Sequence, residues 1–219
     1  MSAPKLIGPL VVIGGLLMTY SSVAQKPLVQ VDIAAMQAGQ EPSDFTFWRT
    51  GNGAPAEWRV VNDPTAAHQA AIVQTSTDTT DYRFPLAVYR PVSAKNVDVS
   101  VRFKPVAGKV DQAGGIVVRL TTYDDHYVVR ANALEDNVRF YRVVKGRREQ
   151  IKGVDTKVAG GQWHTLSLRA EGDHFTVSFD GKDLFSAEDK TFAGEGKVAL
   201  WTKADSVTYF DTLTIMPRD

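Results

Sequence analysis

Between residues 71 and 215 the chain is a close succession of short β-branched and aromatic runs, each stopped by turn residues, and that punctuation leaves few folds open. The runs are "AIVQTS" (71–76), "VDVSVRFKPV" (97–106), "GGIVVRLTTY" (114–123), "HYVVRANAL" (126–134), "VRFYRVV" (138–144), "HTLSLRAE" (164–171), "HFTVSFD" (174–180), "GKVALWTK" (196–203) and "VTYFDTLTI" (207–215). "KG" at 145–146, "GD" at 172–173 and "DG" at 180–181 separate alternating segments, as two-residue hairpins require. Only "SAEDKTF" (186–192) has room for a short helical turn. Hairpin-linked strands bury one face each, so the expectation is an all-β sandwich of two antiparallel sheets. Residues 25–66 are richer in Gly, Pro and Ala, with Phe45, Phe47, Trp48 and Trp58 placed to anchor loops and a first strand.

The front of the chain reads differently. Lys5 precedes an apolar run from Leu6 to Met18, and Ser22 and Ala24 give the small-x-small pattern of a secretory signal. The run is shorter than the roughly 20 residues a spanning helix needs. A signal peptide over 1–24 is therefore expected, cleaved between Ala24 and Gln25, followed by one domain over 25–219. The product is exported, periplasmic or extracellular, with no membrane insertion after cleavage. There is no cysteine, which rules out disulfides, a lipid-modified cysteine, a Cys nucleophile and thiolate metal sites. Stability must come from burial. Once Lys5 leaves, the remaining Lys and Arg are one fewer than the 25 acidic residues, so no nucleic-acid footprint is present. A monomer is expected.

The order "TDYRFPLAVY", "GGIVVRL…DHYVVRANALEDNVRFYRVVKGRR", "WHTLSLRAEGDHFTVSFDGKDLF" and "TFAGEGKVALWTKADSVTYFDTLTI" resembles a bacterial exported branch of the concanavalin A-like lectin/glucanase superfamily. It is similar both to laminin-G-type domains and to 3-keto-disaccharide hydrolase-type domains, over about residues 60–216. The resemblance implies a jelly-roll sandwich with one concave sheet that in relatives often holds carbohydrate. It implies no activity, since the fold hosts lectins, glycosidases and interaction modules alike.

Glycoside hydrolysis needs two carboxylates flanking the bond. Glucanases of the superfamily carry them as E-x-D-x-x-E on one strand, and that stretch is missing here; Glu135-Asp136 reads as hairpin chemistry. His68, His126, His164 and His174 have no zinc spacing, and His164 after Trp163 looks structural by the same resemblance. No cofactor is expected. Calcium stays an open alternative, with Asp124, Asp125 and Asp211 as oxygen donors, because laminin-G-type relatives often bind it.

The outer face can be derived further. In "GGIVVRLTTY", Ile116, Val118 and Leu120 form the apolar set, which turns Val117 and Arg119 outward. A turn at Asp124-Asp125 would set Arg119 opposite Arg130, an unfavourable pair that calls for an acidic neighbour, an anionic ligand or another register. A turn at Asp136-Asn137 would put Asn132 opposite Tyr141 and force Arg142 inward near the sheet margin. Burial of Val198 and Leu200 turns Trp201 and Lys203 outward. Arg119, Arg130, Asn132, Tyr141, Trp201, Lys203 and Asp205 are thus the candidate ligand-binding residues: an aromatic face for a pyranose and planar polar groups for its hydroxyls. Antiparallel sheets also carry polar outer faces without any ligand.

Three functions remain: a non-catalytic module binding an oligo- or polysaccharide, a hydrolase or lyase of 3-keto-disaccharides, or an envelope protein-interaction domain. No catalytic set is definable from the residues.

Overall fold

The computed structural model describes residues 1–2 and 27–219; the apolar run and cleavage site of the signal peptide expected over 1–24 fall outside the described residues. Among the described residues there are one short 3-10 turn at Ile33–Ala35 and fifteen strands. They are β1 (Val29–Gln30), β2 (Phe45–Gly51), β3 (Trp58–Asn62), β4 (Ala70–Gln74), β5 (Arg83–Ala94), β6 (Asn96–Ala107), β7 (Ala113–Thr122), β8 (Asp125–Asn132), β9 (Asn137–Val144), β10 (Arg147–Asp155), β11 (His164–Glu171), β12 (His174–Phe179), β13 (Lys182–Glu188), β14 (Gly196–Trp201) and β15 (Val207–Arg218).

One sheet runs β13-β12-β11-β6-β15-β4-β3 with β1 beside β15, the other β10-β9-β8-β7-β14-β5-β2. Paired strands are antiparallel throughout, and the result is the expected jelly-roll sandwich.

The core lies between the sheets. Val97, Val99, Val101 and Phe103 of β6 and Leu166 and Leu168 of β11 meet Tyr127 and Val129 of β8 and Val138 and Phe140 of β9. Tyr127, Phe140 and Phe175 form a triangle with ring centres 4.6 to 5.7 Å apart. Each such ring, fully buried, contributes roughly 1.5–3 kcal/mol, which is how a cysteine-free chain holds together.

The Lys145-Gly146 and Asp180-Gly181 turns have positive φ at both residues, as type I′ hairpins need. His164 braces the second of these: Nδ1 lies 2.7 Å from Asp180 Oδ2 and Nε2 lies 3.0 Å from the Ala159 carbonyl.

The structure has more strands than the sequence signals: residues 27–66 hold three, β1 to β3, where one first strand is expected, and β5, β10 and β13 are further additions. β5 contains Pro85 and Pro91, which weaken a strand signal. β10 is "RREQIKGVD", a charged sheet edge of the kind that discourages edge-to-edge pairing. β13 takes Ser186–Glu188 as strand where a helical turn had room.

Two registers also differ from expectation. The β7–β8 turn is Tyr123-Asp124, because Thr122 pairs with Asp125, and a bulge between Val118 and Thr122 shifts the ladder. Arg119 sits in that bulge at φ 51°, so Leu120 turns outward and Arg119 turns toward the interlayer. Gly196 of β14 permits this, since a Cβ there would stand 2.4 Å from the Arg119 carbonyl carbon. The β8–β9 loop has four residues, 133–136, so Asn132 faces Asn137 and Tyr141 faces Val128. Asn132 Oδ1 accepts from the Leu134 and Glu135 amides and closes that loop locally. Arg142 does lie at the margin, bonded to Glu149 and to Asp189.

His126 is fully buried, and among the described residues neither ring nitrogen has a partner within hydrogen-bonding geometry. Burial pushes its pKa down to about 3, against weaker opposing pulls from Asp125 and the Thr122 backbone. The folded state therefore holds it neutral while the unfolded chain protonates it near pH 6.5, so stability is full above pH 6.5 and falls with pH down to about 3. From pH 7 to pH 5 the loss should be about 2 kcal/mol. Urea unfolding of His126→Leu at both pH values should show that much less acid sensitivity; an identical pH dependence would refute the assignment.

Candidate functional site

Alternate residues of the seven-stranded sheet point away from the core and form a second cluster: Phe84, Leu86, Val117, Val128, Tyr141 and Trp201 are among them. One cross-strand row decides the geometry. Arg139 of β9, Arg130 of β8, Gly115 of β7, Trp201 of β14 and Leu86 of β5 stand side by side. Gly115 is the gap in that row. A Cβ there would come 3.1 Å from Arg130 Cβ, 3.2 Å from the indole and 2.6 Å from the Val129 carbonyl oxygen, so glycine lets the two large groups share the face.

Arg130 is nearly buried and its guanidinium fans out. It donates to Asn137 Oδ1, to Glu135 Oε2 at 2.7 Å and to the Tyr141 hydroxyl at 3.1 Å. Beside it, Asn132 Nδ2 donates to Asp111 Oδ1 at 2.7 Å, and Lys203 Nζ lies 3.0 Å from Asp111 Oδ2 and 2.6 Å from Asp81 Oδ1. The result is a continuous polar network. Asp111 is sealed at its centre, whereas the Glu135 and Asp81 side chains are 46% and 74% exposed, so the network opens to solvent at both ends.

The charges are tuned by this packing. Burial pushes the Asp111 carboxyl up, partly offset by Lys203. For Lys203, burial pulls down, but Asp81 and Asp111 outweigh it and hold the ammonium charged. Burial likewise raises Glu135, and Arg130 with Asn137 more than reverses this.

Asp111 rides on the loop between β6 and β7. Asp205 holds that loop: its carboxylate accepts from the amides of Lys109 at 2.6 Å, Val110 at 3.0 Å and Asp111 at 3.1 Å. Gly108, at φ 146°, makes the tight entry, where a Cβ would overlap the Asp111 carbonyl.

The seven sequence candidates therefore separate. Arg130, Asn132, Tyr141 and Lys203 come together. Asp205 lies behind them as the support of Asp111. Trp201 is on the right face but 1% exposed, stacked on Phe84 at 5.6 Å, so it underlies the site instead of presenting an open face. Arg119 is elsewhere. Its guanidinium donates to the Lys95, Phe192 and Gly172 carbonyls inside the sandwich, because the bulge reversed its direction.

Sequence reasoning missed Asp111, Asp81 and Arg148. The first two stand in loops without a motif, and the third is on the unread β10. Of the expected calcium donors, Asp124 is in the β7–β8 turn and Asp125 opens β8, but Asp211 is on the other sheet, occupied by Arg102 and the Ala67 amide. Among the described residues no group of three or more acidic or histidine side chains is arranged to hold a metal.

The family model of the galactocerebrosidase C-terminal lectin domain matches residues 36–217. The chain belongs to this family. The lectin-type domain is also similar in structure to the carbohydrate-binding module CBM66 from Bacillus subtilis, at 19% identity and TM-score 0.63 over 81% of this chain and 99% of that one. Domain 4 of AbnA, an extracellular arabinanase from Geobacillus stearothermophilus solved with arabinotriose, matches at 15% identity and TM-score 0.55, over 78% and 82% of the two chains. The Bacillus licheniformis β-glucanase matches at 12% and 0.50, over 82% and 100%. At these identities the likeness is one of fold. Among curated proteins none matches the lectin-type domain significantly.

Proposed function

We propose that the protein is an exported, non-catalytic carbohydrate-binding module that reads sugar hydroxyls on the outer face of the seven-stranded sheet. The observation that carries this is the open-ended network of Arg130, Glu135, Asn132, Asp111, Lys203 and Asp81. Each of these side chains is a planar or charged hydrogen-bonding group fixed by its neighbours, and such groups bind hydroxyls without the entropy of ordering them first. Membership of a lectin-domain family supports the reading, as do the names of two fold neighbours, a carbohydrate-binding module and an arabinotriose complex. Export rests on the signal pattern of the first 24 residues. Among the described residues no helix is long and apolar enough to cross a membrane.

Glu135 and Asp81 would accept hydroxyl protons, while Arg130 and Lys203 would donate. A glycan array followed by calorimetry on the best ligand tests this. The double variant Asp81→Asn, Glu135→Gln keeps size and most hydrogen bonds, and it should weaken binding about tenfold, the worth of one charge-assisted hydrogen bond. Unfolding should shift by less than about 1 kcal/mol, since both groups are solvent-open. Failure of the wild type to bind any glycan, or full affinity in the double variant, would reject the proposal.

A further inference from the structure

One half-buried arginine on this face has no ion-pair partner among the described residues, although Asp111 acts on it from farther away. Arg130 is paired with Glu135, Lys203 with Asp81 and Asp111, and Arg139 with Asp155. Arg148, on β10, forms no ion pair among the described residues, and its guanidinium donates no hydrogen bond there. Nη1 is buried without a partner. The group instead lies over aromatic rings, 4.5 Å from the centre of Tyr141, 4.6 Å from Phe84 and 5.8 Å from Trp201.

Its position is fixed from the backbone. The Arg148 amide donates to the Tyr82 hydroxyl at 2.9 Å, that hydroxyl donates to the Gly146 carbonyl at 2.8 Å, and Gly146 N donates to the Asp124 carbonyl. Arg148 also shares Tyr141 with Arg130, whose guanidinium is 5.8 Å from the same ring. Burial, and secondarily Arg130, disfavour its charge, with Tyr141 and Asp111 acting the other way. A guanidinium held this rigidly and left without an acceptor is complementary to a planar anion, for which its fork of N–H donors is preorganised.

We propose that the glycan taken by this face carries a carboxylate, that of a uronic acid unit, which pairs with the Arg148 guanidinium while Arg130, Lys203 and their acids read the neighbouring hydroxyls. The inference rests on the glycan-binding reading above and narrows it to acidic glycans. The aromatic rings beneath Arg148 then serve as the support of a cation, which accounts for the sealed Trp201.

The test compares uronic acid-containing oligosaccharides with their uncharged methyl esters, and with sulfated neutral oligosaccharides as a second anion, by calorimetry at low and high NaCl. Wild type should prefer the acid over its ester by about tenfold or more, the difference shrinking as salt screens the pair. In Arg148→Met the acid-to-ester ratio should fall to about one; the exposed neighbour Arg147→Met should leave that ratio intact. Esters that bind as well as acids, sulfated sugars preferred over carboxylates, or a ratio that survives Arg148→Met would each overturn the carboxylate assignment while glycan binding itself stands. Absence of binding to acids and esters alike would overturn both readings. Should Arg148→Met fold poorly, the wild-type ratio and its salt dependence still decide.

Discussion

Arg119→Met is expected to lower the free energy of unfolding by about 3–5 kcal/mol, although Arg119 stands apart from the proposed site. The side chain is 1% exposed, and its guanidinium joins three separate segments through the carbonyls of Lys95 at 2.9 Å, Phe192 at 2.7 Å and Gly172 at 2.5 Å. It also lies over the rings of Tyr127 and Phe175. Methionine fills much of the volume but donates nothing, so three carbonyls lose a charged donor in a place that water reaches poorly. Urea unfolding at pH 7 measures the effect. A loss below about 1 kcal/mol would mean that solvent enters and satisfies those carbonyls, and that the bulge is held by something else.

The second large effect is expected at Asp205. In Asp205→Ala three amides of the 109–111 loop lose their common acceptor, which should cost about 3 kcal/mol. It should also weaken glycan binding about tenfold, because Asp111 is then no longer held against Asn132 and Lys203. Asp205 touches no ligand in this scheme; it positions a residue that does its work two steps away. The two readouts separate a positioning role from a merely structural one. A folded Asp205→Ala protein that binds glycan normally would show that the loop keeps its shape unaided.

The fold was largely legible because its signals are local. Alternation in "VDVSVRF" and "HTLSLRA" marks core-facing residues that do fill the interlayer, and the Asp180-Gly181 dipeptide names its own turn. What was not legible depended on single residues acting at a distance. The direction of Arg119 hinges on a bulge that nothing in "VVRLTT" announces, and on a glycine nearly eighty residues later that makes room for it. The four-residue loop after Asn132 looked like a two-residue turn because the asparagine's own side chain does the closing. Of the site, Arg130, Asn132, Tyr141 and Lys203 were readable as outward polar groups. Asp111, to which two of these bind, lies in a loop brought in by Asp205, and loops carry no period. Arg148 was invisible for another reason: its strand is so charged that it reads as solvent-exposed chain, although its guanidinium closes over an aromatic cluster.

Val29 of the first strand pairs with Ile215 of the last, so the two ends of the folded unit leave from the same eight-stranded sheet, behind the polar network. A label or a bead joined at either end is thereby attached through the sheet opposite the polar network. Copies fixed to one support through a terminus would share that attachment, and a polymeric partner offering repeated acidic units could be gripped by several at once, with a strength set by spacing more than by any single grip.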